Sequence, residues 1–404
     1  MNLAALFQSV ALKILAGFFA FIAIVSGPGA PRTLEHVSPA AEEPASGVEI
    51  VNIQPLVSII EERALATPPK EKVNEVKEAR ENASVNPPEE ITPAPQKPPV
   101  QPQEIEPNIV AALPPPPIIV PLPFTDVNAR TREALVNILC TTNAGGTLNP
   151  ISASGVIVSP SGIVITNAHV AQYFLLRDYP VPNNIQCVLR LGSPAQPKYV
   201  AELVLVSPQW IYDNASMIVS PDPTGTGEND YAFLRITGRT NPDAALPASF
   251  PYLEPDTRED AIAIGDQALT AGYPAGFLGG IAIQRELYIS SSVTPVREVF
   301  TFETLADLFS IGGSVVAQKG ASGGAVVSSA GKLVGVIVTS TDSDTTGGRD
   351  LRAITFSHID RSLARHSATS VARILGGNSA GDALDFQTGT APTLTRLLTE
   401  YLDR

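Results

Sequence analysis

Between Pro28 and Pro123 the chain carries 21 of its 37 prolines. Proline fixes φ and removes a backbone donor, so neither a helix nor a sheet can propagate through runs such as PPEEITPAPQKPPVQPQ or LPPPPIIVPLP. Residues 27–124 therefore read as a disordered or polyproline-like linker. A flexible chain of this length would span roughly 55 Å on average. The proline runs also fit a second reading, as ligands for a partner domain. In either case the packed part of these 404 residues must lie beyond the linker.

The segment before the linker, Leu3 to Ser26, is apolar apart from Lys13 and a few small polar residues. The run from Ile14 to Val25 has the length of a signal-peptide core, whereas the whole stretch is long enough to span a bilayer. Pro28 stands where a cleavage site would need a small residue or a permissive flank, which favours an uncleaved membrane anchor over residues 1–26. Lys13 and the amine lie on its N-terminal side, and Glu35, Glu42 and Glu43 follow. That bias directs the remaining chain outside the cytoplasm, in the cell envelope or periplasm, or into the medium if the segment is cleaved.

From about Arg130 short apolar runs alternate with Gly, Pro, Asn and Ser: ALVNILCTT, SGVIVSPSGIVITNA, IQCVLRLG, YVAELVLVS, DYAFLRI, KLVGVIVTS and RAITFS among them. Spacing near ten residues with turn signals between predicts an all-β barrel or sandwich. SPSG at 159–162 and SSAGK at 328–332 read as hairpin turns. Ser357-His-Ile-Asp360 reads as a capping box that opens a helix, and residues 367–404 form a helical tail of no evident use. The net charge of −13 argues against a nucleic-acid partner. The four histidines are scattered and the two cysteines lie far apart, so neither a metal site nor any other cofactor is expected.

Three segments carry chemistry. In GVIVSPSGIVITNAHV a two-strand hairpin ends at His169, where a base would stand at the rim of a sheet. In NDYAFLRI, Asp230 opens an apolar strand. In KGASGGAVV, glycines crowd Ser322 immediately before a strand, so that backbone N–H groups can converge on one point. Each motif alone has a plain structural reading; together they define a nucleophile, a base and a carboxylate in one chain.

The three segments resemble the chymotrypsin-fold serine endopeptidases, most closely the bacterial trypsin-like and HtrA/Deg-type branch, over roughly residues 132–366. The order His, Asp, Ser is the same. The resemblance implies two six-stranded antiparallel β-barrels within residues 125–366, followed by a C-terminal helix, with the triad in the cleft between the barrels. It assigns Ser322 as nucleophile, His169 as general base and acid, and Asp230 as the group that orients His169. It places the oxyanion hole at the N–H groups of Gly320 and Ser322, and it implies polypeptide substrates. By simple counting Val316 would form the base of the substrate pocket and Val338, Thr339 and Ser340 its other wall, with a preference for apolar or small side chains. Gly272-Tyr-Pro-Ala-Gly276 resembles the stretch that opens the second barrel and is read as structural. The strands holding Cys140 and Cys187 would be neighbours in such a barrel, which makes a disulfide an expectation and leaves free thiols as the alternative.

Ala321 departs from the pattern: trypsin-type enzymes carry an aspartate there that pairs with a new N-terminus after clipping. Activation by such a cut is therefore not expected. Too little chain follows His366 for a PDZ domain. The motif GxSxG also suits the nucleophile elbow of α/β-hydrolases, but an elbow leads into a helix, and Ser322 leads into a strand. A protease fold kept as a catalytically silent binding scaffold is the alternative of a different class. Oligomeric state has no signature in the sequence.

Overall fold

The computed structural model describes residues 121–404 except 144–147, 221–225, 303–304, 342 and 344. The expected anchor (1–26) and all but the last residues of the expected linker (27–124) lie outside the described residues. Among the described residues no helix is long and apolar enough to cross a membrane.

The described chain opens with helix α1 (Phe124–Ala134). Six strands follow: β1 (Leu135–Thr142), β2 (Ile151–Ile157), β3 (Ile163–Thr166), β4 (Ile185–Leu191), β5 (Gln196–Val206) and β6 (Ala232–Arg239). They close into a barrel in the order β1-β2-β3-β6-β5-β4. Helix α2 (Ala168–Leu175) leaves directly from β3, and α3 (Pro208–Asn214) follows β5. Closure removes the exposed strand edges that a six-stranded sheet would otherwise leave unpaired. The residues of β3, Ile-Val-Ile-Thr, are all buried because this strand lies in the barrel wall with packing on both faces.

Strands β7 (Gln267–Gly272), β8 (Ser290–Pro295), β9 (Glu298–Phe300), β10 (Leu308–Gly312), β11 (Ala325–Ser328), β12 (Leu333–Ser340) and β13 (Leu351–Thr355) make the second sheet. Its order is β8-β7-β11-β12-β13-β10-β9: a seven-stranded open sheet rather than the closed six-stranded barrel expected. Pro295 is the physical reason. A proline donates no ladder bond, and the chain bends at Val296 and Arg297 between β8, which pairs with β7, and β9, which pairs with β10. Val296 N–H then bonds to Asp266 C=O at 2.9 Å and Arg297 N–H to Ser310 C=O at 2.8 Å. The stretch from Ser290 to Phe300 is thus split between the two edges of the sheet.

A short helix α4 (Gly280–Arg285) stands between β7 and β8. The expected helix and helical tail are four helices: α5 (Phe356–Ser367), α6 (Val371–Gly376), α7 (Ser379–Gly389) and α8 (Ala391–Leu402). Helix α5 begins before the expected capping box. Its cap is Thr355, whose side chain accepts from the His358 N–H at 3.1 Å. The last helices bury Phe386, Leu394 and Leu398 in the same apolar cluster as Ile138, Leu189 and Trp210 of the first barrel.

Cys140 on β1 faces Cys187 on β4 in register, and the two are joined by a disulfide that closes 47 residues. In the chain-entropy account a loop of that size contributes about 4 kcal/mol. Changing both cysteines to alanine is expected to lower the melting temperature by about 10 °C, read by calorimetry. An unchanged melting temperature would remove the disulfide from the stabilising interactions.

Candidate active site

The pairing of β3 with β6 brings His169 and Asp230 together. Thr166 is opposite Ala232 at the end of that ladder. His169 lies three residues beyond the first and Asp230 two residues before the second, so both emerge at the same end of the barrel. His169 is the second residue of α2 rather than a strand-end residue as the pattern suggests. Its backbone N–H donates to Asp230 Oδ1 at 3.0 Å, and its Nδ1 lies 2.7 Å from Oδ2. The carboxylate thus holds both the start of the helix and the ring, with His169 8% exposed and Asp230 only 1%.

Behind Asp230, Asn167 Nδ2 donates to its carbonyl at 3.0 Å. The neighbouring Asn229 has φ +58°, a conformation that asparagine tolerates better than most residues. Its Oδ1 accepts from Ser362 Oγ on α5 at 2.6 Å, and Ser362 Oγ lies 2.8 Å from the Tyr231 hydroxyl. Burial pushes the Tyr231 phenol up to about 12, against the opposing hydrogen bonds from Ser362 and Ser207. It stays a neutral donor or acceptor at any working pH, so this support for the Asp230 turn does not titrate.

Ser322 sits in the loop before β11. Gly320 has φ +93° and Gly323 φ +82°, and a Cβ on Gly323 would come within 2.0 Å of the Ser154 carbonyl oxygen. The loop is pinned from the first barrel by Ser154 of β2. Its N–H donates to Ser322 C=O at 2.8 Å, and its hydroxyl donates to Gly320 C=O at 2.7 Å while accepting from Tyr273 N–H at 2.9 Å. Ala275 N–H holds the Lys319 carbonyl at 2.7 Å. A peptide's N–H points opposite its C=O, so anchoring that carbonyl turns the Gly320 N–H the other way. Among the described residues neither the Gly320 nor the Ser322 N–H donates to a protein acceptor, which leaves both for a developing oxyanion.

His169, Gly320 and Ser322 line one cavity of about 500 Å³. Ser322 Oγ and the His169 ring are not hydrogen-bonded to each other here; in proteases without substrate this contact is often loose and tightens in the complex. Val316 and Val338 are fully buried and do not line the cavity. Thr339 and Ser340 are placed by their backbone on β12, opposite Arg352 and Leu351, and their side chains lie outside the described set. Ala321 is buried among Val316, Phe309 and Ile337.

A second histidine–carboxylate pair, His358 Nδ1 to Asp307 Oδ1 at 2.8 Å, also engages Arg361. Burial holds the His358 imidazole below its ordinary range. The space beside it is about 20 Å³ and is lined also by Ser362, whose hydroxyl is engaged with Asn229 and Tyr231. It belongs to the support of α5. Among the described residues no group of side chains could hold a metal ion.

Sequence reasoning missed Ser154, Tyr273 and Ala275. The GYPAG segment, read as structural, supplies two N–H groups that fix the nucleophile loop. The Ser-Gly pair in the middle of β2 was in view, but only the cross-barrel contact reveals its use. Removing the Ser154 hydroxyl would leave a buried N–H and C=O without partners, at a cost of about 1–3 kcal/mol each. Ser154→Ala is therefore expected to lower kcat by ~10-fold or more with KM changed far less, as a displaced oxyanion donor would. Steady-state kinetics on a peptide substrate would check this, and a change confined to KM would contradict it.

A closed six-stranded barrel, a second antiparallel sheet and a buried Asp–His pair opposite a glycine-bound serine define the chymotrypsin-like serine protease fold. The family model described as a trypsin-like peptidase domain matches residues 153–336, from β2 to the middle of β12. No curated protein matches by sequence. Among solved structures the chain is similar to an HtrA-type protease AlgW with decapeptide, at 17% identity and TM-score 0.38, over 60% of this chain and 67% of that one. It is also similar to the HtrA-type protease AlgW with tripeptide, at 21% identity and TM-score 0.38, over 62% of this chain and 65% of that one. The chain thus spans about two thirds of the length of these structures.

Proposed function

We propose that this protein is a serine endopeptidase that hydrolyses peptide bonds in protein substrates through an acyl-enzyme on Ser322. The observation that carries the reading is that His169, held by the buried Asp230, shares one cavity with Gly320 and Ser322, whose backbone N–H groups are unclaimed. His169 takes the Ser322 Oγ proton as Oγ attacks the scissile carbonyl, and the Gly320 and Ser322 N–H groups receive the oxyanion. His169 then returns the proton to the leaving amine, and water repeats the sequence to release the acyl group. Asp230 holds the ring with Nε2 toward the nucleophile.

The catalytic unit is residues 125–366, with the C-terminal helices packed on the first barrel. It acts outside the cytoplasm, on a tether formed by residues 27–124 and anchored by residues 1–26. The disulfide favours that compartment, because such bonds persist where the environment is oxidising. The buried apolar setting of Ala321 supports an enzyme that needs no N-terminal clip. Incubating the full chain with unfolded casein tests the activity: cleavage at internal peptide bonds is expected, and intact casein after prolonged incubation would overturn it.

A further inference from the structure

We infer that the site selects its substrate on the leaving-group side of the scissile bond, where it binds apolar side chains C-terminal to the cut. The inference rests on the protease reading above and adds to it the face of the substrate that is read.

Ser322 lies between two flanks. On one, Gly323 N–H donates to Ile337 C=O at 2.8 Å and Ile337 N–H to Gly324 C=O at 3.0 Å, so β12 passes beside the loop that holds the nucleophile. An extended acyl segment would add to that strand. On the other flank β2 is tied to Ser322 through Ser154. The open cavity lies on the β2 flank: Ile151, Tyr173, Ala275, Leu278 and Ile283 line it, and no residue of β12 does. On the β12 flank, Val316 and Val338 are both 0% exposed, so neither of these side chains presents an apolar face to a substrate. The leaving amine departs away from β12, into the cavity.

The far wall is built rather than loose. Arg190, buried in the first barrel, donates to the carbonyls of Ile283 at 2.9 Å and Gln284 at 3.0 Å, and also to those of Ala195 and to Asn137 Oδ1. This holds α4 against the cleft. Beyond Leu278 the apolar surface continues outward through Phe277, 68% exposed, and Ile281, 75% exposed. No residue of α4 is buried. Exposed large apolar side chains contiguous with a cleft mark a surface that binds something apolar, and here the cleft begins at the nucleophile.

The test reads how the acyl-enzyme partitions. The full chain is acylated with N-acetyl-Ala-Ala-Val thiobenzyl ester, which places the acyl carbon on Ser322 Oγ and releases benzyl thiol. An added amino-acid amide then competes with water. Its nitrogen attacks the ester carbon, His169 takes a proton from that nitrogen and delivers it to Oγ as the C–Oγ bond breaks, and a new amide leaves. Leucinamide and phenylalaninamide are expected to capture the acyl group at least about tenfold better than glycinamide at equal concentration, the discrimination that burying such a side chain supports. In Leu278→Glu that advantage is expected to shrink to about threefold or less. Equal capture of all three amides, with thiol release proceeding, would overturn the inference while leaving the protease reading intact. Absence of thiol release would overturn both.

Discussion

Replacing Ser322 with alanine is expected to lower kcat on a peptide substrate by ~10⁶-fold while leaving KM nearly unchanged. The side chain is small, and no hydrogen bond within the protein depends on its Oγ, so the loop should keep its shape: the bonds that fix it run through the Ser322 carbonyl, the Gly320 carbonyl and the Gly323 and Gly324 amides. The variant retains the two oxyanion N–H groups and the cavity. Residual hydrolysis of about 10³–10⁴ over water is therefore expected from binding and electrostatic stabilisation alone. A folded Ser322→Ala protein with wild-type turnover would mean that the nucleophile is elsewhere.

Asp230→Asn is the second large effect, expected to lower kcat by ~10⁴-fold. The asparagine is close in shape and can still accept the His169 backbone N–H. Facing the ring it must then present an amide N–H to Nδ1, which forces the imidazole proton onto Nε2. In that tautomer Nε2 cannot take the Ser322 proton. Circular dichroism and melting should report a folded protein, because the Tyr231–Ser362–Asn229 chain that supports the turn is untouched. A loss of activity matched by a loss of fold would indicate that Asp230 is structural.

Much of the candidate site was legible in the sequence because its three reactive side chains sit in short, local signatures. The TNAH, NDYAF and GASGG segments each combine a reactive side chain with the strand or turn that presents it, and the two hairpin turns mark the strands around them. What was not legible depends on contacts between distant segments. Ser154 and Gly320 are 166 residues apart, and Tyr231 and Ser362 are 131 apart. Nothing in either local sequence announces the partner. The pair of edge strands β8 and β9 was not read from the sequence, because the consequence of Pro295 depends on which edges it lies between. The C-terminal helices had readable periodicity, but their seat on the first barrel required the cluster around Ile138 and Trp210. Counting back from Ser322 reached Val316 correctly as a sequence position; only packing shows that the side chain faces the core and that the open space lies on the opposite flank.

The most direct test of the central claim is labelling of the folded full chain with a fluorophosphonate, followed by peptide mass spectrometry. The account predicts a phosphonyl adduct on Ser322, fast in the wild type and lost in His169→Ala, because the histidine must take the proton as Oγ attacks phosphorus. A folded chain, with Cys140 and Cys187 joined, that forms no adduct on Ser322 would contradict it.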